Sequence, residues 1–141
     1  MVDLFYLTIN SFTLENIKAQ KLLNKIQRDL MRNGIITNTL VEDLKELRKM
    51  VVEENIPLLA KTIRLAYEHI EENDAFDIPI PDDEPLEEGE EVEETEDVEV
   101  ITGQESLEYM LSLMADHANK VNEIELREYV RAMKEAAGED Y

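Results

Sequence analysis

The stretch that decides how this chain is organised runs from Asp74 to Glu99, DAFDIPIPDDEPLEEGEEVEETEDVE. It contains fourteen Asp or Glu residues, three prolines and no Lys or Arg. Like charges repel one another, proline removes backbone hydrogen-bond donors, and the apolar residues are too sparse to offset the entropy lost on ordering. The sequence therefore predicts a long, acidic, disordered linker, which we place at residues 73–102.

The net charge of the 141-residue chain is −20, and it is concentrated in the middle. Residues 65–119 hold twenty acidic side chains and no Lys or Arg, whereas residues 1–64 have a net charge of +2. There is no cysteine, which excludes disulfides and thiolate metal sites. No apolar run approaches the roughly 20 residues of a membrane span, and residues 1–7 lack the basic region of a signal peptide. We therefore expect a cytoplasmic protein, or a virion protein if the gene belongs to a phage.

Three amphipathic helices are predicted before the acidic stretch, within an N-terminal unit of residues 1–72. Apolar residues at helical spacing place them at about residues 14–32, 40–53 and 57–72. Thr13 and Thr39 are the expected caps of the first two helices, and Pro57 suits the first turn of the third. Residues 2–9 mix aromatic and β-branched types and fit either a short strand or an apolar arm.

A helical hairpin is predicted over residues 103–138, so the expected fold is all-α: a three-helix N-terminal unit and a C-terminal hairpin. Ser106 and Asn122 are the expected caps, and Gly138 the expected end. One helix face carries a contiguous apolar row, formed by Leu107, Met110, Leu111 and Met114. Because such a row usually marks an interface, we expect it to dock on the N-terminal unit, a second copy or a partner. These four are therefore candidate partner-binding residues.

A basic stripe follows the opposite face of the first predicted helix. Its cations recur at spacings of three and four residues: Lys18, Lys21, Lys25, Arg28 and Arg32. One interpretation is an ordinary solvated helix face. The other is a partner-binding surface for an acidic protein or for the chain's own acidic stretch. The large negative charge and the lack of interleaved aromatic residues argue against direct binding of nucleic acid, and the charge also argues against anionic membrane.

No motif for catalysis, cofactor binding or metal binding is present in the sequence. The two histidines, His69 and His117, lack the Glu three residues earlier that di-metal helical bundles use. The acidic stretch lacks the glycine and the closing pattern of an EF-hand loop, and the chain has no phosphate-binding loop or nucleophile elbow. We therefore predict no catalytic residue, no cofactor and no metal site.

Three functions fit these observations. The leading one is a non-enzymatic protein that mediates protein–protein interaction or assembly, as an adaptor, assembly factor or structural subunit, through a protein partner or self-association. The alternative is an acidic inhibitor or nucleic-acid mimic, which binds a basic nucleic-acid-binding surface through the acidic stretch. The third is an enzyme with an unrecognised site. Binding by a helical face should survive high salt, whereas binding by the acidic stretch should weaken steeply with ionic strength.

Overall fold

The computed structural model describes residues 16–81 and 102–138, and these form five α-helices. They are α1 Ile17–Asn33, α2 Thr37–Glu53, α3 Pro57–Asn73, α4 Gln104–Ala115 and α5 Lys120–Ala137. The described residues contain no β-strand. The predicted all-α class, with three helices before the acidic stretch and two after it, is confirmed. The strand or arm expected at residues 2–9 lies outside the described residues.

Helix α1 begins later than predicted because Asn16 caps it. The Asn16 Oδ1 atom accepts hydrogen bonds from the backbone N–H groups of Lys18 (2.8 Å) and Ala19 (3.1 Å). These donors have no partner within the helix, so the amide side chain fixes where the helix starts. Thr13, the predicted cap, lies outside the described residues. At the other end, Gly34 follows the helix with a φ of 73°, a value that glycine adopts without strain.

The caps predicted for α2 and α4 are wrong. Thr39 lies inside α2, which has no side-chain cap, and Ser106 lies inside α4, where it is fully buried. Ser106 Oγ lies 3.0 Å from Tyr129 Oη, and the Tyr129 hydroxyl also donates to the Ser106 carbonyl (2.9 Å). Burial raises the pKa of Tyr129 well above its ordinary value. The Ser106 hydroxyl, which was predicted to cap the helix, instead forms a hydrogen bond with the Tyr129 hydroxyl inside the core.

The second helix of the hairpin, α5, also starts earlier than predicted. Asn119, rather than Asn122, is its cap, and Asn119 Oδ1 accepts from the N–H groups of Val121 (2.9 Å) and Asn122 (3.2 Å). The predicted end at Gly138 is confirmed, since this glycine follows the helix with a φ of 78°.

The five helices close a ring in which each packs mainly on two others, in the order α1, α2, α3, α5, α4 and back to α1. All five contribute to one apolar core. The N-terminal unit and the hairpin therefore do not have separate cores. Helix α4 has only 12 residues, which is near or below the length at which an isolated helix is stable in water. Its stability must come from this packing.

The four apolar residues predicted to bind a partner lie inside the core. Leu107, Met110, Leu111 and Met114 each have 0% exposure. Of the three possibilities stated above, the row has docked on the N-terminal unit. Burial within the chain leaves none of these four side chains on the surface of the described body, and a partner-binding role for them stays a prediction.

The structure also moves the start of the predicted linker. Residues 74–81 follow α3, and two of them are buried, Phe76 at 0% and Ile78 at 2% exposure. This part of the predicted 73–102 linker belongs to the folded body. Residues 82–101 lie outside the described residues, so their disorder stays a prediction. No helix in the described ranges is long and apolar enough to cross a membrane.

The shared core predicts that the hairpin and the first three helices unfold together. Leu111→Ala should lower the free energy of unfolding by about 2–5 kcal/mol, because it leaves a cavity in a well-packed interior. Chemical denaturation should show one transition at a lower midpoint, whether followed by circular dichroism or by the NMR signals of α2. Val121→Ala is the control, since Val121 is 60% exposed and should change stability by less than about 0.5 kcal/mol. If α2 unfolded at the parent midpoint in L111A, the hairpin would be an independent unit.

Candidate functional site

The candidate site is the part of the helical body next to Pro81 and Thr102, the described residues on either side of residues 82–101. We call residues 82–101 the acidic segment, because twelve of its twenty residues are Asp or Glu. We call the group that holds its two ends the anchor, which consists of His69, Phe76, Asp77, Ile78 and Gly103.

The exit from α3 is a fixed turn. Asp74 adopts the left-handed conformation, with a φ of 57°, and its N–H donates to the Ile70 carbonyl (2.7 Å). The Thr37 hydroxyl, at the start of α2, donates a hydrogen bond to the Asp74 carboxylate. This turn ends the helix and directs the next residues back along the body.

Two apolar side chains hold the outgoing chain against the core. Phe76 and Ile78 are buried, whereas Asp77 between them is exposed. Alternation of this kind is what an extended chain produces when one side lies on an apolar surface. Full burial of a large apolar side chain contributes roughly 1.5–3 kcal/mol, so the two together oppose detachment of a strongly charged stretch.

His69 fixes the backbone of the same stretch. Its Nε2 atom accepts a hydrogen bond from the Asp77 N–H (3.0 Å), and its ring meets the Phe76 ring edge to face at 5.8 Å. A nitrogen that accepts a hydrogen bond carries no proton, so this contact requires the neutral imidazole. Burial lowers the pKa of His69, and the nearby carboxylates of Asp77 and Glu72 offset part of that effect.

The returning chain meets the outgoing chain at one backbone hydrogen bond. The Gly103 N–H donates to the Phe76 carbonyl (2.7 Å), and Gly103 has a φ of 73°, a conformation in which a side chain would be strained. The next residue, Gln104, donates through Nε2 to the Leu30 carbonyl at the end of α1 (2.9 Å). The Gly103–Phe76 hydrogen bond therefore joins the stretch that precedes the acidic segment to the residues that follow it.

Charge is divided sharply between the acidic segment and the helical body. All fourteen Lys and Arg residues fall within the described residues, which also hold eighteen Asp and Glu residues, a net charge of −4. The acidic segment alone carries −12 and has no cation. An arrangement of this kind attracts basic surfaces and repels nucleic acid.

The basic stripe lies where it was predicted, on the exposed side of α1. All five of its cations are exposed, while Ala19, Leu23, Ile26 and Leu30 on the other side are buried. Lys25 Nζ is paired with Asp43 on α2 (2.8 Å) and with Asp29 (3.0 Å), and these hydrogen bonds raise its pKa. The other four cations form no ion pair with any residue in 16–81 or 102–138. A partner-binding role for the stripe stays a prediction.

Within residues 16–81 and 102–138, no group of three His, Asp or Glu side chains is arranged to hold a metal ion. His69 serves the anchor, as described above. His117 does not belong to the anchor. It lies in the turn between α4 and α5.

Sequence reasoning missed Phe76 and Ile78. Both lie in a stretch that charge and prolines marked as a linker. The alternation of apolar residues at 76, 78 and 80 was the available signal, because period-two spacing is typical of an extended chain on an apolar surface.

In comparisons with known proteins, no family model matches this sequence, and no curated protein or solved structure matches it either. The function must therefore be argued from the anchor, the core and the distribution of charge.

The His69 contact predicts a pH dependence of stability. Because the pKa of His69 is lower in the folded protein than its ordinary value of 6.5, the unfolded chain takes up the proton first as the pH falls. The stabilisation is thus complete above about pH 7.5 and declines as the pH falls through 6.5. The variant His69→Gln keeps an acceptor for the Asp77 N–H but does not titrate. We expect the difference in free energy of unfolding between parent and variant to shrink between about pH 7.5 and 5, and a constant difference would contradict the assignment.

The anchor itself predicts the behaviour of one amide proton. Phe76→Ala removes a fully buried ring, a change that costs about 3–5 kcal/mol in protein cores. The outgoing chain should then detach, and hydrogen exchange at the Gly103 N–H should accelerate on the order of a hundredfold or more. Ile80→Ala is the control, since Ile80 is only half-buried and lies in the same stretch. Equal exchange rates at Gly103 in parent and F76A would show that Phe76 does not hold the two ends together.

Proposed function

We propose that this protein is a non-enzymatic protein-interaction factor whose helical body presents the acidic segment to a basic surface on a protein partner. The observation that carries the proposal is the anchor: Phe76 and Ile78 are buried, and the Gly103 N–H donates to the Phe76 carbonyl. The chain that carries the twelve acidic residues is therefore joined to the folded body on both sides, through a hydrogen bond between Phe76 before it and Gly103 after it.

Closure at both ends limits where these charges can be. The 24 residues between Ile78 and Gly103 span at most about 86 Å when extended, so the chain between them reaches no more than about 43 Å from the anchor. The charges stay close to the body, and a partner that binds the segment also comes within reach of the helical surface. The segment is already confined in the free protein, so binding to a partner costs less conformational entropy than it would for a chain with a free end.

The charge distribution favours a basic partner. A dense negative field speeds association with a positive surface and disfavours acidic partners. Proteins bind nucleic acid with surfaces of this basic type. An inhibitor that occupies such a surface is therefore one specific form of the proposal, and an adaptor or assembly factor is another.

The same observations weigh against the helical face first expected to bind a partner, since its four residues are in the core. The exposed large apolar residues of the described part of the chain are Ile17, Met31, Ile36, Val52, Val121 and Ile124. Scattered apolar residues of this kind are normal on protein surfaces. This leaves the acidic segment as the feature best suited to binding.

The test is an affinity capture from source-cell lysate with three immobilised proteins. The first is the parent, and the second carries six Glu→Gln changes in the acidic segment, at positions 87, 88, 90, 91, 93 and 94. The third is the matched control, with six Glu→Gln changes on exposed helical sites, at positions 42, 46, 53, 72, 105 and 135. We expect basic proteins to be captured by the parent and the control, to be reduced at least tenfold with the segment variant, and to elute as salt rises from about 50 to 500 mM.

Calorimetry with the captured protein then gives the affinity of each variant. The proposal requires the segment variant to bind at least tenfold more weakly than the control. Equal binding by all three proteins, or binding that persists at high salt, would place the affinity on the helices and contradict it. The acidic segment should be neutralised rather than deleted from residue 74, because deletion would also remove Phe76 and Ile78 from the core.

A further inference from the structure

An open cavity of about 850 Å³ lies at the opposite end of α3 from the anchor. It is formed by the residues that precede and begin α3, by the turn between α4 and α5, and by one face of α5. Since α3 has 17 residues, the cavity and the anchor are separated by about 25 Å along that helix. We call it the basic cavity, and it is independent of the proposed function.

Cations dominate the lining of the basic cavity. It contains four Lys or Arg side chains, which are Lys61, Arg127, Arg131 and Lys134. Glu123 is the only carboxylate in the lining, and it pairs with Arg127 (2.9 Å). Arg131 approaches Glu128 at 3.7 Å, and Glu128 does not line the cavity. Lys61 and Lys134 also have interactions of their own, so the excess is one of charge in the lining and not of unpaired cations.

The first turn of α3 and His117 also line the cavity. Helix α3 starts at Pro57 after Ile56, and no side chain caps it, so the N–H of Leu58 in the lining has no acceptor within the helix. The Nε2 atom of His117 is buried, so it does not face the open cavity, and it has no hydrogen-bond partner among the described residues. His117 is itself part of the lining. A helix start with free N–H groups favours an anion.

We propose that the basic cavity binds a small organic phosphate. Phosphate oxygens match the paired N–H groups of arginine, and a phosphate at a helix start accepts from backbone N–H groups. The rest of the lining includes Ile56, Leu58 and Val130, which suit an uncharged organic portion. The cavity is too large for a lone ion, and its volume lies in the 300–1,000 Å³ range typical of small-molecule sites.

The test uses inorganic pyrophosphate and adenosine diphosphate as probes, with binding measured by calorimetry and by NMR on the full chain. We expect both probes to bind and to shift the amide signals of Leu58 and Leu59 and the imidazole signals of His117. The double variant Arg131→Gln/Lys134→Gln should bind both probes at least tenfold more weakly. Lys18→Gln/Lys21→Gln, which removes the same charge from the exposed face of α1, should bind within about twofold of the parent. NMR spectra of each free variant confirm that the fold is intact.

Three results would overturn the proposal. Equal weakening by the two double variants would mean that the probes respond only to overall charge. Binding without shifts at Leu58, Leu59 and His117 would place the probes elsewhere. Binding only after the six Glu→Gln changes in the acidic segment would mean that this segment, rather than a free phosphate, occupies the cavity. The two double variants leave the acidic segment unchanged and so do not test the capture of a basic partner. The two proposals can therefore fail separately.

Discussion

Burial of one apolar face of α4 against α1 and α5 is the interaction on which the rest of this structure depends. The face includes Leu107, Met110, Leu111 and Met114, all of which are fully buried. A 12-residue helix and an 18-residue helix could not bury this surface as an isolated hairpin, so the pair is stable only as part of a shared core. The ring of five helices follows, because α4 must contact α1 and α5 must contact α3 for both faces to be covered.

The shared core changes what the acidic segment is. Were the two helical units separate, residues 82–101 would be a tether whose length set the distance between them. Because the units share one core, Phe76 before these residues and Gly103 after them are joined by a hydrogen bond, and the chain between the two has to close on itself. Mutual repulsion among the twelve carboxylates disfavours this closure. Burial of Phe76 and Ile78 stabilises it, and salt does not weaken apolar burial. The neutral form of His69 accepts a hydrogen bond from the Asp77 N–H, so the attachment of residues 76–78 to the body depends on pH.

Charge on the described helices is arranged in distinct surfaces. Lys25 in the basic stripe is paired with carboxylates on its own helix and on α2, so part of this stripe is compensated locally. In the basic cavity four cations face one carboxylate, and the first turn of α3 adds N–H groups that no side chain caps. The stripe and the cavity therefore differ in shape. The stripe is an exposed helix face, whereas the cavity is a concave site with hydrogen-bond donors around it.

Periodicity and charge in the sequence determined the all-α class, the positions of most helices to within a few residues, the outward side of α1 and the −12 charge of residues 82–101. These are local properties, since the spacing of apolar residues fixes the buried side of a helix and carboxylates in sequence remain close in space. The tertiary structure decided which hydroxyl or amide caps a helix, as at Asn16, Ser106 and Asn119, because a cap depends on the direction from which the chain arrives. It also decided that Leu111 faces the protein's own core rather than a partner, and that Phe76 and Ile78 join that core. It brought Arg131 on α5 beside the start of α3 in the basic cavity. Contacts between residues far apart in sequence come from the way the helices pack, and helical periodicity says which side of a helix is apolar without saying what covers it.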